Sequence, residues 1–142
     1  METVLVAKAL IIDNAGNCLV LRRSETHPDA ALKPDLPGGI IEEDETATLA
    51  VCREILEETG LTVDHDRVHL LFATTDASRG RNMIRFLFVT KIADTKPEVV
   101  ISWEHAEFQW LPLGEVLGHM EHPEYTKGIA HILENHLLED IT

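Results

Sequence analysis

The chain has 142 residues, 25 acidic against 12 basic, for a formal net charge of −13. That length fits one domain, residues 1–142, able to bury roughly two-thirds of its unfolded surface. The acidic balance argues against a nucleic-acid backbone as the main partner, which needs a basic surface, but leaves room for small anionic substrates where a bound cation inverts the local field.

Met1 leads straight into an apolar run, without the basic segment and small-residue cleavage site of a signal peptide. No apolar run approaches the ~18 residues of a membrane span. Cys18 and Cys52 form no C-x-x-C pair and predict two buried, reduced thiols. These features point to a cytoplasmic chain with no membrane partner.

Residues Thr3 to Asp13 are rich in aliphatic and β-branched side chains and predict a largely buried strand. Asn14 to Asn17 carries turn residues, and Cys18 to Leu21 resumes the apolar pattern, giving a hairpin that Arg22 and Arg23 end. Ser24 to Asp35 is polar, holds Pro28 and Pro34, and reads as a loop. Leu36-Pro37-Gly38-Gly39 is a tight glycine turn. A helix follows, capped by Asp44 or Thr46 and stopped at Gly60. Ala47, Ala50 and Val51 give that helix a small-residue face suited to close packing on a sheet. Val68 to Thr75 and Met83 to Ile92 read as two strands joined across Asp76–Asn82. A short run, Val99 to Ile101, precedes an alternating strand, Glu107 to Leu111. Pro112 suits a helix start, so Leu113 to Leu117 predicts a short helix. Glu124 to Leu138 places Ile129, Ile132, Leu133 and His136 at helical spacing and predicts a closing amphipathic helix. Strands interleaved with helices make the class α/β or α+β.

The densest chemistry lies in Arg53-Glu54-Ile55-Leu56-Glu57-Glu58. Residues three and four apart share a helix face, so Glu54, Glu57 and Glu58 project together. Like charges at that spacing repel, and negative charge at a helix C-terminus opposes the dipole. Local stability does not explain the arrangement, although a solvated acidic helix end would need no further function. A divalent cation does explain it, because Mg²⁺ and Mn²⁺ favour clustered oxygen ligands.

The spacing resembles the signature of the Nudix hydrolase family. That signature reads Gly, five residues, Glu, seven residues, Arg-Glu, an aliphatic, any residue, Glu-Glu, any residue, Gly, an aliphatic. Gly39, Glu45, Arg53, Glu54, Ile55, Glu57, Glu58, Gly60 and Leu61 fill every fixed position from Gly39 to Leu61. The resemblance implies an αβα sandwich with a mixed central sheet. It implies hydrolysis of a phosphoanhydride bond in a nucleoside diphosphate linked to another moiety, with Mg²⁺ or Mn²⁺ as cofactor. The partner is then a small nucleotide, and both a monomer and a homodimer remain open. A nucleotide-binding module without catalysis is the alternative on the same fold, but it would not need every glutamate kept. An isopentenyl diphosphate isomerase-like activity would need a cysteine in an open pocket. Cys52 inside the helix and Cys18 after a turn are poorly placed for that.

The resemblance also implies roles. Glu54, Glu57, Glu58 and the Gly38 carbonyl match metal ligands, and one of Glu57 and Glu58 can also serve as base. Arg53 matches the signature arginine and is expected to pair with Glu45 and orient the cluster; an ordinary pair with Glu57 is the plainer reading. A late carboxylate, Glu104 with Glu107 in reserve, is expected to act as ligand or general base. Gly39, Arg23 (or its neighbour Arg22) and Arg85 are the substrate-binding candidates. Arg85 is costly on an apolar strand face unless paired, and a helix glutamate is the expected partner if it does not bind phosphate. His119 and His122 read as surface residues, Trp110 as packing, and Tyr125 as exposed or packing. The segment Ser102–Leu113 is also similar to one in diadenosine tetraphosphate hydrolases. Nucleoside triphosphates, ADP-sugars and dinucleoside polyphosphates all remain candidate substrates.

Overall fold

The computed structural model describes residues 1–142. In chain order the strands are β1 (Thr3–Ile12), β2 (Asn17–Arg23), β3 (Pro34–Asp35), β4 (Gly38–Ile40), β5 (Val68–Ser78), β6 (Arg81–Lys91) and β7 (His105–Pro112). The helices are α1 (Ala47–Thr59), α2 (Leu113–His119) and α3 (Pro123–Glu134), with a 3₁₀ turn at His65–Arg67. All seven strands join one sheet whose main path runs β3-β2-β1-β6-β5; β4 pairs with β1 and β7 with β2. β1 and β6 run parallel over ten paired positions while the other pairings are antiparallel, so the sheet is mixed.

Alternation along the strands builds a core on each face. Leu10, Ile12, Cys18, Val20, Leu87 and Val89 meet Val116 of α2 and Ile129 and Ile132 of α3. Their sequence neighbours Ala7, Ala9, Ile11, Leu19, Leu21 and Phe88 face the other way, onto Val51 and Ile55 of α1. Helices therefore cover both faces, giving the αβα layering that the family resemblance implied. No helix is long and apolar enough to cross a membrane.

Local signals set α1. The Thr46 hydroxyl accepts the Leu49 N–H at 3.2 Å, so Thr46 rather than Asp44 is the cap. Gly60 takes the left-handed conformation that ends the helix, at φ 74°. Several expected boundaries move because pairing outranks local pattern. β2 ends at Arg23, as expected, but Arg22 and Arg23 are themselves paired in the sheet, held by β3 and β7. The expected β5–β6 connection shrinks to Arg79-Gly80, because Ser78 pairs with Arg81. Val99–Ile101 forms no strand, although Val99 is buried against the α1 face. α3 stops at Glu134, leaving His136 exposed and outside the helix at φ 54°. Cys18 is buried, but Cys52 is only half-buried.

Candidate active site

Where β4 leaves β1, the sheet opens into a cavity of about 360 Å³, within the range of small-molecule sites. One wall is acidic, with Glu54 and Glu58 of α1 above Gly38 and Gly39. The lining also carries four basic side chains, Lys8, Arg23, Arg81 and Arg85.

Two glycines make the acidic wall possible. Gly38 sits at φ 137°, and a side chain there would fall on the Ala7 backbone carbonyl. At Gly39 a Cβ would lie 2.6 Å from Glu54 Cδ. Without side chains, β4 lies flat against β1 and the Glu54 carboxylate rests directly on β4. The Gly38 N–H donates to Glu58 Oε1 at 2.7 Å, while its carbonyl accepts from Lys8 Nζ at 3.0 Å.

Behind Gly38 lies a buried ionic network. Lys8 Nζ is 3.1 Å from Asp35 Oδ1, Arg23 Nε 3.3 Å from Asp35 Oδ2, and His105 Nε2 2.9 Å from the same Oδ2. The His105 side chain has no solvent exposure; its Nδ1 lies 4.0 Å from Glu58 Oε2 and has no hydrogen-bond partner. Burial alone would raise the Asp35 pKa, but Lys8, the His105 hydrogen bond and Arg23 hold it far below the carboxylate range. Burial pulls Lys8 down, yet Asp35 and Glu58 more than offset this and leave it raised. Glu58 goes the other way: burial pushes it up to about 7, against the opposing pull of Lys8 and the Gly38 N–H. Burial also raises Glu54.

Arg53 lies at the mouth. Its Nη2 donates to Glu45 Oε1 at 2.7 Å, and its Nη1 to Glu54 Oε1 at 3.0 Å and Glu57 Oε2 at 3.3 Å. The three glutamates do not converge as helix spacing suggested. Glu54 and Glu58 line the cavity, whereas the Glu57 side chain is 57% exposed and turned onto Arg53. Mutual repulsion and the nearest cation account for that turn. Only Asp64, His65 and Asp66, all exposed, bring three ligand atoms within 4.8 Å of one another. The donors on the acidic wall are nonetheless all oxygens, two of them on carboxylates whose pKa values burial has raised. That set fits a hard divalent cation, whose charge would offset the strain of ionising both.

Of the two late carboxylates, Glu104 lines the cavity, 3.6 Å from His27 Nε2. Glu107 is exposed beside Arg22, away from the cavity. Arg23 reaches the cavity and Arg22 does not. Arg85 is paired with Asp76 of β5 at 2.6 Å and donates to the Tyr125 hydroxyl at 3.1 Å, so its partner is not a helix glutamate. His122 is not the surface residue expected, and of the two readings of Tyr125 packing holds. Tyr125 is buried; half-buried His122 caps α3 by accepting the Glu124 N–H, with its ring 4.7 Å from that of Tyr125. Both line a second compartment of about 330 Å³, which shares Arg23, Asp35 and Arg85 with the first. Trp110 packs against the α1-side core. Sequence reasoning missed Lys8, Asp35, Arg81 and His105. A lysine inside an apolar strand was the one signal available.

The family model of the NUDIX domain matches residues 3–135. An RNA pyrophosphohydrolase from Acidiphilium cryptum (strain JF-5) is 46% identical over 54 residues, 38% of this chain, and the match spans only 33% of that protein's length. A MutT-like protein from Streptomyces ambofaciens is 29% identical over 116 residues, covering 82% of this chain and 68% of that one. The crystal structure of a MutT protein from Methanosarcina mazei Go1 superposes with a TM-score of 0.80 at 29% identity, covering 94% of this chain and 96% of that one.

Proposed function

We infer the function from one premise: the chain belongs to the NUDIX domain family. The reading it supports is hydrolysis of a phosphoanhydride bond in a nucleoside diphosphate linked to another moiety, with Mg²⁺ or Mn²⁺ as cofactor. The observation that carries it is the two-signed cavity, lined by Glu54 and Glu58 against Gly38-Gly39 and also by Arg23 and Arg85. An acidic wall suits a divalent cation and basic side chains suit phosphates.

Glu54 and Glu58 would hold the metal, with Glu57 and the Gly38 carbonyl as neighbouring oxygen donors. When bound, the ion neutralises phosphate charge and lowers the pKa of water. The chain's own residues do the rest. Arg23 and Arg85 bind phosphoryl oxygens, and Gly39 lets them approach the backbone. Arg53, clamped to Glu45, fixes Glu54. The buried Lys8–Asp35–His105 network fixes Gly38 and the back of Glu58. Glu104 faces the cavity with only His27 beside its carboxylate, and takes the proton of the attacking water. Water oxygen bonds to phosphorus, the bridging P–O bond breaks, and its electron pair leaves with the departing phosphate.

The test is a panel of nucleoside triphosphates, ADP-sugars and dinucleoside polyphosphates, read by product identification. Turnover is expected with Mg²⁺ or Mn²⁺, to vanish in chelator, and to be lost in Glu54→Gln, Glu57→Gln and Glu58→Gln. Unchanged turnover in Glu58→Gln at saturating Mg²⁺ would refute the assigned site. Nucleotide binding with no turnover across the panel would leave a binding module instead.

A further inference from the structure

Three of the four basic side chains in the cavity already have acidic partners. Lys8 and Arg23 lie on Asp35, and Arg85 on Asp76. Arg81 makes no ion pair, and its Nε is buried without a protein acceptor. A guanidinium is a fixed fork of donors and cannot give up its charge.

Its surroundings are apolar. Alternation puts Arg81, Met83 and Arg85 on one face of β6. The parallel register sets Met83 beside Val4, and Arg85 beside Val6. Val4, Val6 and Met83 form a third hydrophobic cluster, apart from both helix-covered cores, and all three line the cavity. Lys8, beside Gly38, lies four residues along β1 from Val4, about 13 Å at ~3.3 Å per residue. The apolar floor thus starts at Val6, beside Ile40, and runs along β1 and β6 to Val4 and Met83, away from Gly38 and the acidic wall. A nucleotide has the same layout, with its sugar separating a flat apolar ring from its phosphates.

We propose that this far end is a base subsite that selects keto over amino bases. The ring face lies on Val4, Val6 and Met83, and the Arg81 fork donates two N–H groups to the base edge. A keto purine such as hypoxanthine or guanine presents two adjacent acceptors there, O6 and N7. Adenine places an amino donor against the guanidinium instead. The proposal rests on the nucleotide part of the hydrolase reading and names the class of base.

Hypoxanthine and adenine isolate the effect, so the experiment is calorimetric binding of IMP and AMP to the intact chain in Mg²⁺, with no turnover required. IMP is expected to bind about tenfold tighter or more. Arg81→Ala should bring the ratio close to one. Arg81→Gln, whose amide can both donate and accept, should bring it to one or below. Inorganic pyrophosphate affinity and the melting temperature should hold in both variants. Equal binding of IMP and AMP by the unaltered chain would overturn the proposal. So would Arg81→Ala weakening pyrophosphate as much as IMP, which would make Arg81 a phosphate contact. So would selectivity lost in His122→Ala and kept in Arg81→Ala, which would put the base in the neighbouring compartment. Selective IMP binding that depends on Arg81, in a chain that hydrolyses no nucleotide, would sustain this subsite while refuting the hydrolase reading.

Discussion

Glu58 is the residue whose surroundings conflict most with its charge. Burial raises it from 4.5 to about 7, despite Lys8 and the Gly38 N–H. The folded chain therefore keeps a proton that the unfolded chain releases. Stability falls as pH rises from about 4.5 to 7, and the full cost is present above that window. Glu58→Gln removes the charge and keeps an oxygen to accept the Gly38 N–H. Above pH 7 in chelator, the variant should melt higher than the unaltered chain, with the gap closing as pH falls toward 5. Mg²⁺ should raise the melting temperature of the unaltered chain and leave the variant where it is. Thermal melts at pH 5 and 8, with and without Mg²⁺, decide this; an unaltered chain that is the more stable at pH 8 in chelator would mean that Lys8 and Gly38 fully offset the burial. The glutamates were legible because they sit within five residues on one helix. The network behind them was not, since Lys8, Asp35 and His105 meet only across the folded sheet. Lys8 in an apolar strand was a visible anomaly, but nothing in the sequence named its partner.

At the scale of elements, the long strands were readable from their runs of aliphatic and β-branched residues, β7 from its alternation, and α1 from its cap and its stop. β3 and β4 were not, because two or three residues carry no period and owe their conformation to pairing with β2 and β1. The glycine turn was legible as a turn, but not as a strand pressed between β1 and Glu54. That placement separates two substitutions that look alike in sequence. Gly39→Ala meets only the Glu54 carboxyl, a side-chain end that can swing away. It should keep stability within about 1 kcal/mol while lowering kcat/KM by roughly 10–100-fold, as loss of an orienting contact does. Gly38→Ala meets backbone at a φ that alanine resists, and should cost on the order of 3 kcal/mol or more. Urea midpoints and activities measured side by side test the split. Equal stability losses would mean that Glu54 is as rigidly held as the backbone.

For the whole molecule, the charge of −13 is a burden that no single pair carries. Many ion pairs are exposed and contribute little each, so repulsion among the excess carboxylates acts through solvent. Going from 10 to 150 mM KCl shortens the screening length from about 30 to about 8 Å. The melting temperature in chelator should therefore rise with KCl; a flat response would mean that the acidic groups are spaced widely enough to ignore one another. The parallel pairing of β1 with β6 has a further consequence, one of timing. β1 at the centre of the sheet is synthesised roughly 80 residues ahead of its longest partner. At about 5–20 residues per second, it emerges from the ribosome several seconds before β6. During that interval an apolar strand destined for burial over most of its length has an unzipped flank, which makes the nascent chain a natural client for a holdase.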